Sequence, residues 1–250
     1  MASREPIFNV PGTVLALIAV LIAVHAGRNL LPIEDNTWLL FAMAFIPARY
    51  AGLAADIPAG IPGGDAASIT SFVTHMFVHA DTVHLAINSA WLLAFGSVLN
   101  RRIGALRFLA FFTAGGIAGA VAYLVAHPGL VAPVIGASGA VAALMGGVMR
   151  FLFSAIDLQR GYLLRDNPAA IPIMDLRTAL TDRRIVIATV AFVGLNLLAM
   201  IGFGTFGVAG SIAWEAHLGG YFFGLLAFGW FDSAAHNALP FPAEFPPQAD

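Results

Sequence analysis

The sequence predicts an all-α polytopic membrane protein, and two observations carry that prediction. The first is composition. Of 250 residues, 59% are hydrophobic and 10% are charged, against about 45–50% and about 25% in soluble globular domains. The second is the length of the apolar runs. A spanning helix takes about 20 predominantly apolar residues, and six segments meet or approach that: residues 11–31, 82–99, 105–126, 136–155, 185–201 and 212–231. Helices are expected because each satisfies its own backbone N–H and C=O groups where water is absent.

The first segment opens on Pro11, which is tolerated at a first helical turn. With Arg4, the run from Val14 and the Val24-His25-Ala26 sequence, this stretch also fits a signal peptide. Residues 32–81 read as a long extracytoplasmic loop, rich in Pro and Gly, carrying Glu34, Asp35, Asp56, Asp65 and Asp81. The second segment holds His84 and Asn88, which are four apart and so share one helix face. Arg101, Arg102 and Arg107 flank the connection to the third. The fourth begins Gly136-Ala137-Ser138-Gly139. Residues 156–184 then hold Arg160, Arg165, Arg177, Arg183 and Arg184, with Arg150 just before them. The sixth segment begins Ile212-Ala213-Trp214-Glu215-Ala216-His217 and continues to Gly220 and Gly224. Residues 1–10 and 232–250 read as short terminal tails around a membrane domain at 11–231.

All 12 basic residues are Arg, and ten lie on one side if the N-terminus is cytoplasmic; Arg28 and Arg49 are the exceptions. The excess of basic residues in cytoplasmic loops therefore places both termini in the cytoplasm of a cell (plasma or inner) membrane protein. The second, fourth and sixth helices then all run inward from the outer face.

Some classes drop out. With no cysteine, disulfides, thiolate metal sites and a cysteine nucleophile are excluded. A net charge of −2 without a basic patch argues against nucleic acid. His75 and His79 are four apart, but no Glu lies between them and no acidic third ligand follows, so no metal is expected. They read as hydrogen-bonding residues at a loop-to-helix junction.

Ionisable groups within hydrocarbon are costly and mark functional sites. The segments offer His25, His84, His217, Glu215 and Asn88. His25, beside Arg28 near the outer end of its helix, reads as an interfacial residue reaching headgroups; Glu215 also reads as interfacial. Gly220 and Gly224 form a close-packing face on the same side of the helix as His217. His84, Asn88, Ser138 and His217 thus all fall within roughly two turns of the outer face. A serine hydroxyl becomes a nucleophile when a neutral imidazole takes its proton. Asn88, His84 and the Ser138 N–H offer donors for an oxyanion, and Gly136 and Gly139 allow close backbone approach to a substrate. No acidic residue accompanies His217 at its depth, so the reading is a dyad.

The sequence resembles the rhomboid family of intramembrane serine proteases over roughly residues 70–230. The resemblance rests on Thr74-His75-Met76-Phe77-Val78-His79 leading to His84-x-x-x-Asn88, then Phe95-Gly96. It continues through Gly136-Ala137-Ser138-Gly139 and Ala216-His217-x-x-Gly220-x-x-x-Gly224. It implies a six-helix rhomboid-like bundle in the lipid bilayer, transmembrane protein substrates and no cofactor. It supports Ser138 as nucleophile, His217 as base, and His84 with Asn88 on the oxyanion side. Two positions depart. Asn100 stands where the family often has Glu, which leaves a nearby Arg without that partner. Ala142 stands where some members carry an aromatic against the histidine, which leaves the group that orients His217 unassigned. The alternatives are a rhomboid-like protein that binds clients without cutting them, and a small transporter, for which no internal repeat is found.

Overall fold

The computed structural model describes residues 10–51, 60–200 and 213–232. Among these the architecture rests on eight helices. They are α1 (Gly12–Asn29), α2 (Ile33–Met43), α3 (Gly64–Thr74), α4 (Thr82–Ile103), α5 (Ala105–Ala126), α6 (Ser138–Asp157), α7 (Arg183–Met200) and α8 (Trp214–Phe231). Each of the six apolar segments forms a helix. Residues 201 and 212 of the last two, Asp56 in the first loop, and the tails at 1–9 and 233–250 lie outside the described residues. Among the described residues four helices, α1, α4, α5 and α6, are long and apolar enough to cross a membrane.

The boundaries shift where glycine dictates. Gly136 has φ +106°, a conformation a right-handed helix cannot contain, so α6 starts at Ser138 and not at 136. The second segment runs beyond residue 99 to Ile103, through a π-helical stretch at Leu92–Gly96, and stops at Gly104 with φ +78°.

Residues 32–81 are more ordered than a loop reading implies. α2 follows Pro32 and has Glu34 and Asp35 in its first turn; α3 follows Gly63 and has Asp65 in its first turn. These carboxylates sit where the helix dipole favours negative charge, so they are helix-start signals and not loop charges. Arg49 ties the segment together by donating to the carbonyls of Phe41 and Pro62.

α5, α6 and α8 form the centre. Lipid offers no hydrophobic force between helices, so close van der Waals contact must hold them. A Cβ on Gly220 would land on the Gly139 carbonyl, and one on Gly224 on the Ala143 carbonyl. From the other side, Gly146 meets the Tyr221 carbonyl, and Gly119 meets that of Ala216. The backbones nearly touch along the whole seam. α6 is accordingly the most enclosed span, with 72% of its apolar window buried against 28% for α1.

α7 is attached differently. Among its residues of described exposure, only Ile185 and Asn196 are buried, while Ile187, Val190 and Leu195 are exposed. It meets the bundle along the stripe Ile185, Thr189, Phe192 and Asn196, whose 4-3-4 spacing is one helix face.

At the end of the bundle away from Ser138, two buried arginines fasten the 156–184 connection. Arg102 pairs with Asp232 at 2.8 Å and donates to the carbonyls of Pro168 and Ile171. Arg150 donates to the carbonyls of Met174 and Leu225. Asp232 thus supplies to Arg102 the carboxylate that Asn100 cannot.

Candidate active site

Ser138 is the first residue of α6, and His217 lies in the first turn of α8. His217 Nε2 is 2.7 Å from Ser138 Oγ. The small-residue seam explains this closeness. Gly220 rests on the carbonyl of Gly139, which follows Ser138, and His217 is one turn before Gly220 on the same face. Gly139 therefore serves helix packing, its Cβ direction facing the Ala216 carbonyl.

On its other side, His217 Nδ1 is 2.7 Å from Asn196 Oδ1, while Asn196 Nδ2 donates to the Phe192 carbonyl at 2.8 Å. Asn196 is buried on α7. The sequence inventory of intramembrane polar groups missed it. A legible signal existed: an Asn amid Gly194-Leu195 and Leu197-Leu198, in an otherwise apolar segment.

The turn before Ser138 is held from two directions. The Gly136 N–H donates to the His75 carbonyl at 2.9 Å, and the Ala137 N–H reaches His79 Nε2 at 3.5 Å. Opposite them, Val134 and Phe45 exchange two backbone hydrogen bonds of 2.8 and 3.0 Å. The expected junction role of His75 and His79 is what the structure contains. Burial pushes His79, in the loop ahead of α4, down to about 3, so its ring stays neutral and can accept.

Gly136 is required twice over. Its φ is +106°, and a Cβ would come within 2.6 Å of His84 Cε1 and Nε2. The His84 ring therefore lies directly against the turn. Its backbone N–H is capped by Asp81 Oδ1 at 2.8 Å, and its ring meets that of His79 edge-on at 5.1 Å.

Asn88 is buried one turn further on, with Nδ2 donating to the carbonyl of His84 at 2.9 Å. One amide hydrogen is thus engaged within α4 itself, and a second remains. One expectation needs correction. His25 is not turned outward: it is 8% exposed, next to Arg28, which donates to the His79 carbonyl. Glu215, in the first turn of α8, has Oε1 2.5 Å from Nε2 of His127, which follows α5. Neighbouring elements cover both residues. Among the described residues no cluster of three or more His, Asp or Glu is arranged to hold a metal.

These contacts make a hydroxyl–imidazole pair at the start of a helix, whose first N–H groups have no intrahelical acceptor. Such a pair can transfer a proton and generate an alkoxide-like oxygen beside backbone donors. Comparison with known proteins identifies the family. A family model for the rhomboid domain matches residues 66–234. Over 118 residues the chain is 32% identical to "Putative rhomboid protease YdcA" of Bacillus subtilis (strain 168), covering 47% of this chain and 57% of that protein. Over 79 residues it is 38% identical to "Rhomboid-related protein 3" of Homo sapiens, covering 32% of this chain and 19% of that protein. The chain thus spans less than two thirds of the length of either relative. With the family model covering more than half of the sequence and the motif residues meeting in space, this chain belongs to the rhomboid family.

Proposed function

We propose that this protein is an intramembrane serine endopeptidase that cuts peptide bonds in or near transmembrane segments of other membrane proteins. The observation that carries the reading is the 2.7 Å contact between His217 Nε2 and Ser138 Oγ inside an apolar helical bundle. Ser138 Oγ attacks the scissile carbonyl carbon as its proton passes to His217 Nε2. The oxyanion is received by the Ser138 N–H, the free amide hydrogen of Asn88, and His84. His217 then returns the proton to the departing amine, leaving an acyl group on Ser138. Water, deprotonated by the same imidazole, releases it. The proposed chemistry calls for no cofactor or metal.

The proposal extends to placement: six spans within 11–231, both termini cytoplasmic, and a site opening to the extracytoplasmic side of the cell membrane. Two features support it. The arginine excess lies on the side of the 156–184 connection, and Ser138 and His217 both stand at helix starts. A cysteine introduced at exposed Ala66 should react with an impermeant thiol reagent on intact cells, and one at exposed Ala169 should not. The reverse pattern would turn the molecule over.

The catalytic reading is tested by a fluorophosphonate probe on the purified protein. Ser138 should be labelled, and Ser138→Ala and His217→Ala should each abolish cleavage of a model transmembrane substrate while remaining folded. Full cleavage by Ser138→Ala would end the assignment. A folded wild type that neither labels nor cleaves would favour the client-binding alternative. Removing one oxyanion donor costs roughly 10²–10³ in turnover elsewhere. Asn88→Ala should sit at or below the low end of that range, with substrate affinity nearly unchanged.

A further inference from the structure

We propose that Asn196 is a positioning residue for His217, fixing the one imidazole tautomer that can accept the Ser138 proton; this rests on the protease reading above. The argument starts at the amide. An Asn side chain has one end that only donates and one that only accepts. Nδ2 lies 2.8 Å from the Phe192 carbonyl, which can only accept. The surrounding network therefore fixes which end of the amide is which. The end left facing His217 at 2.7 Å is Oδ1, an acceptor, so His217 Nδ1 must carry the hydrogen. Nε2 then presents its lone pair to Ser138 Oγ at 2.7 Å. In the other tautomer Nε2 would carry a hydrogen and could take no proton from serine.

Two further observations strengthen this. One turn after Ser138 stands Ala142, whose methyl group gives the imidazole no ring to stack on, so a hydrogen bond supplies the orientation. Asn196 is also the deepest-buried polar position on a helix otherwise meeting the bundle through Ile185, Thr189 and Phe192. An apolar residue would suit that stripe better unless the amide had a partner that needs it. When imidazolium forms during the reaction, the Oδ1 dipole also stabilises the charge at Nδ1–H.

The test uses the full chain in lipid bilayers with ¹⁵N-labelled histidine, the His217 signals being identified by their loss in His217→Gln. The wild type should show Nδ1 protonated and Nε2 bare. Asn196→Leu keeps the volume and removes the acceptor, so the Nε2-protonated tautomer should appear. Turnover should fall roughly ten- to hundred-fold with KM within about twofold, since orientation of the base is lost and substrate binding is not. Asn196→Asp restores an acceptor with charge: turnover should recover in large part, and the acid limb of the kcat profile should move to higher pH. A purely packing role would change thermal stability alone. An unchanged tautomer together with unchanged turnover in Asn196→Leu would overturn the proposal. Because the tautomer is read without any substrate, its result stands apart from the protease reading, which fails separately if the wild type cleaves nothing or if Ser138→Ala cleaves fully.

Discussion

Two of the seams that hold α8 are built on opposite principles. Against α6 it packs backbone to backbone, with Gly220 on the Gly139 carbonyl and Gly224 on that of Ala143. Against α7 it packs through side chains: Phe192 stacks on Tyr221 at 4.7 Å, Thr189 bonds the Tyr221 hydroxyl at 2.8 Å, and Asn196 bonds His217. The first seam leaves no free volume and fixes the Ser138–His217 distance. The second covers a narrow stripe, leaves about half of the α7 residues of described exposure open, and sets only how the imidazole is turned. Distance and orientation of the same histidine are thus delegated to different helices.

The sharpest way to break that comparison is to make one substitution in the close-packed seam and on the open side of α7. Gly220→Ala drives a methyl into the Gly139 carbonyl, which belongs to backbone and cannot swing away. Overpacking of this kind costs about 1–3 kcal/mol, and we expect the upper end, with loss of cleavage, read as thermal stability in detergent and turnover. A Gly220→Ala protein with wild-type stability would refute the close-packed seam.

Gly136→Ala comes next. It combines a left-handed φ with a methyl against the His84 ring. We expect a cost of about 1–3 kcal/mol and, since the turn aims Ser138, a disproportionate loss of probe labelling at that serine. Labelling at the wild-type rate would separate the turn from the site.

On the α7 side the effects shrink. Thr189→Val removes the hydroxyl pair with Tyr221, a class of interhelical bond worth about 0.6 kcal/mol in membranes. Its melting temperature should move little and its turnover less. A large loss would mean that α7 carries more of the fold than its stripe suggests.

An effect of similar size and opposite sign is expected at Gly194 on α7, where an added methyl meets nothing within 4 Å. Replacing a helical glycine by alanine at such an open position stabilises by about 0.4–1 kcal/mol. Gly194→Ala should therefore melt slightly higher than wild type, opposite in sign to Gly220→Ala. Two changes of equal sign would erase the distinction between the close-packed seam and the open side of α7.

The sequence alone determined those features that depend on spacing within one segment. Gly220 and Gly224 share a face with His217 because helical periodicity puts them there, and that face does meet α6. Ser138 was singled out by its depth alongside His84, Asn88 and His217, and the junction role of His75 and His79 through their place ahead of a helix. The family motifs joined these pieces before any contact was known.

Tertiary structure decided which faces of separate helices meet, since no periodicity crosses a connection. Asn196 looked like one polar residue in an apolar run until α7 set it against His217. Glu215 gained its partner from the end of α5, and Arg102 its carboxylate from Asp232, 130 residues later. Gly136 was recognisable as a small residue, yet its positive φ and the His84 ring against it appear only when turn and helix are brought together. A chain fixes each helix face by its own repeat, but which partner that face meets is settled by close packing across the whole bundle.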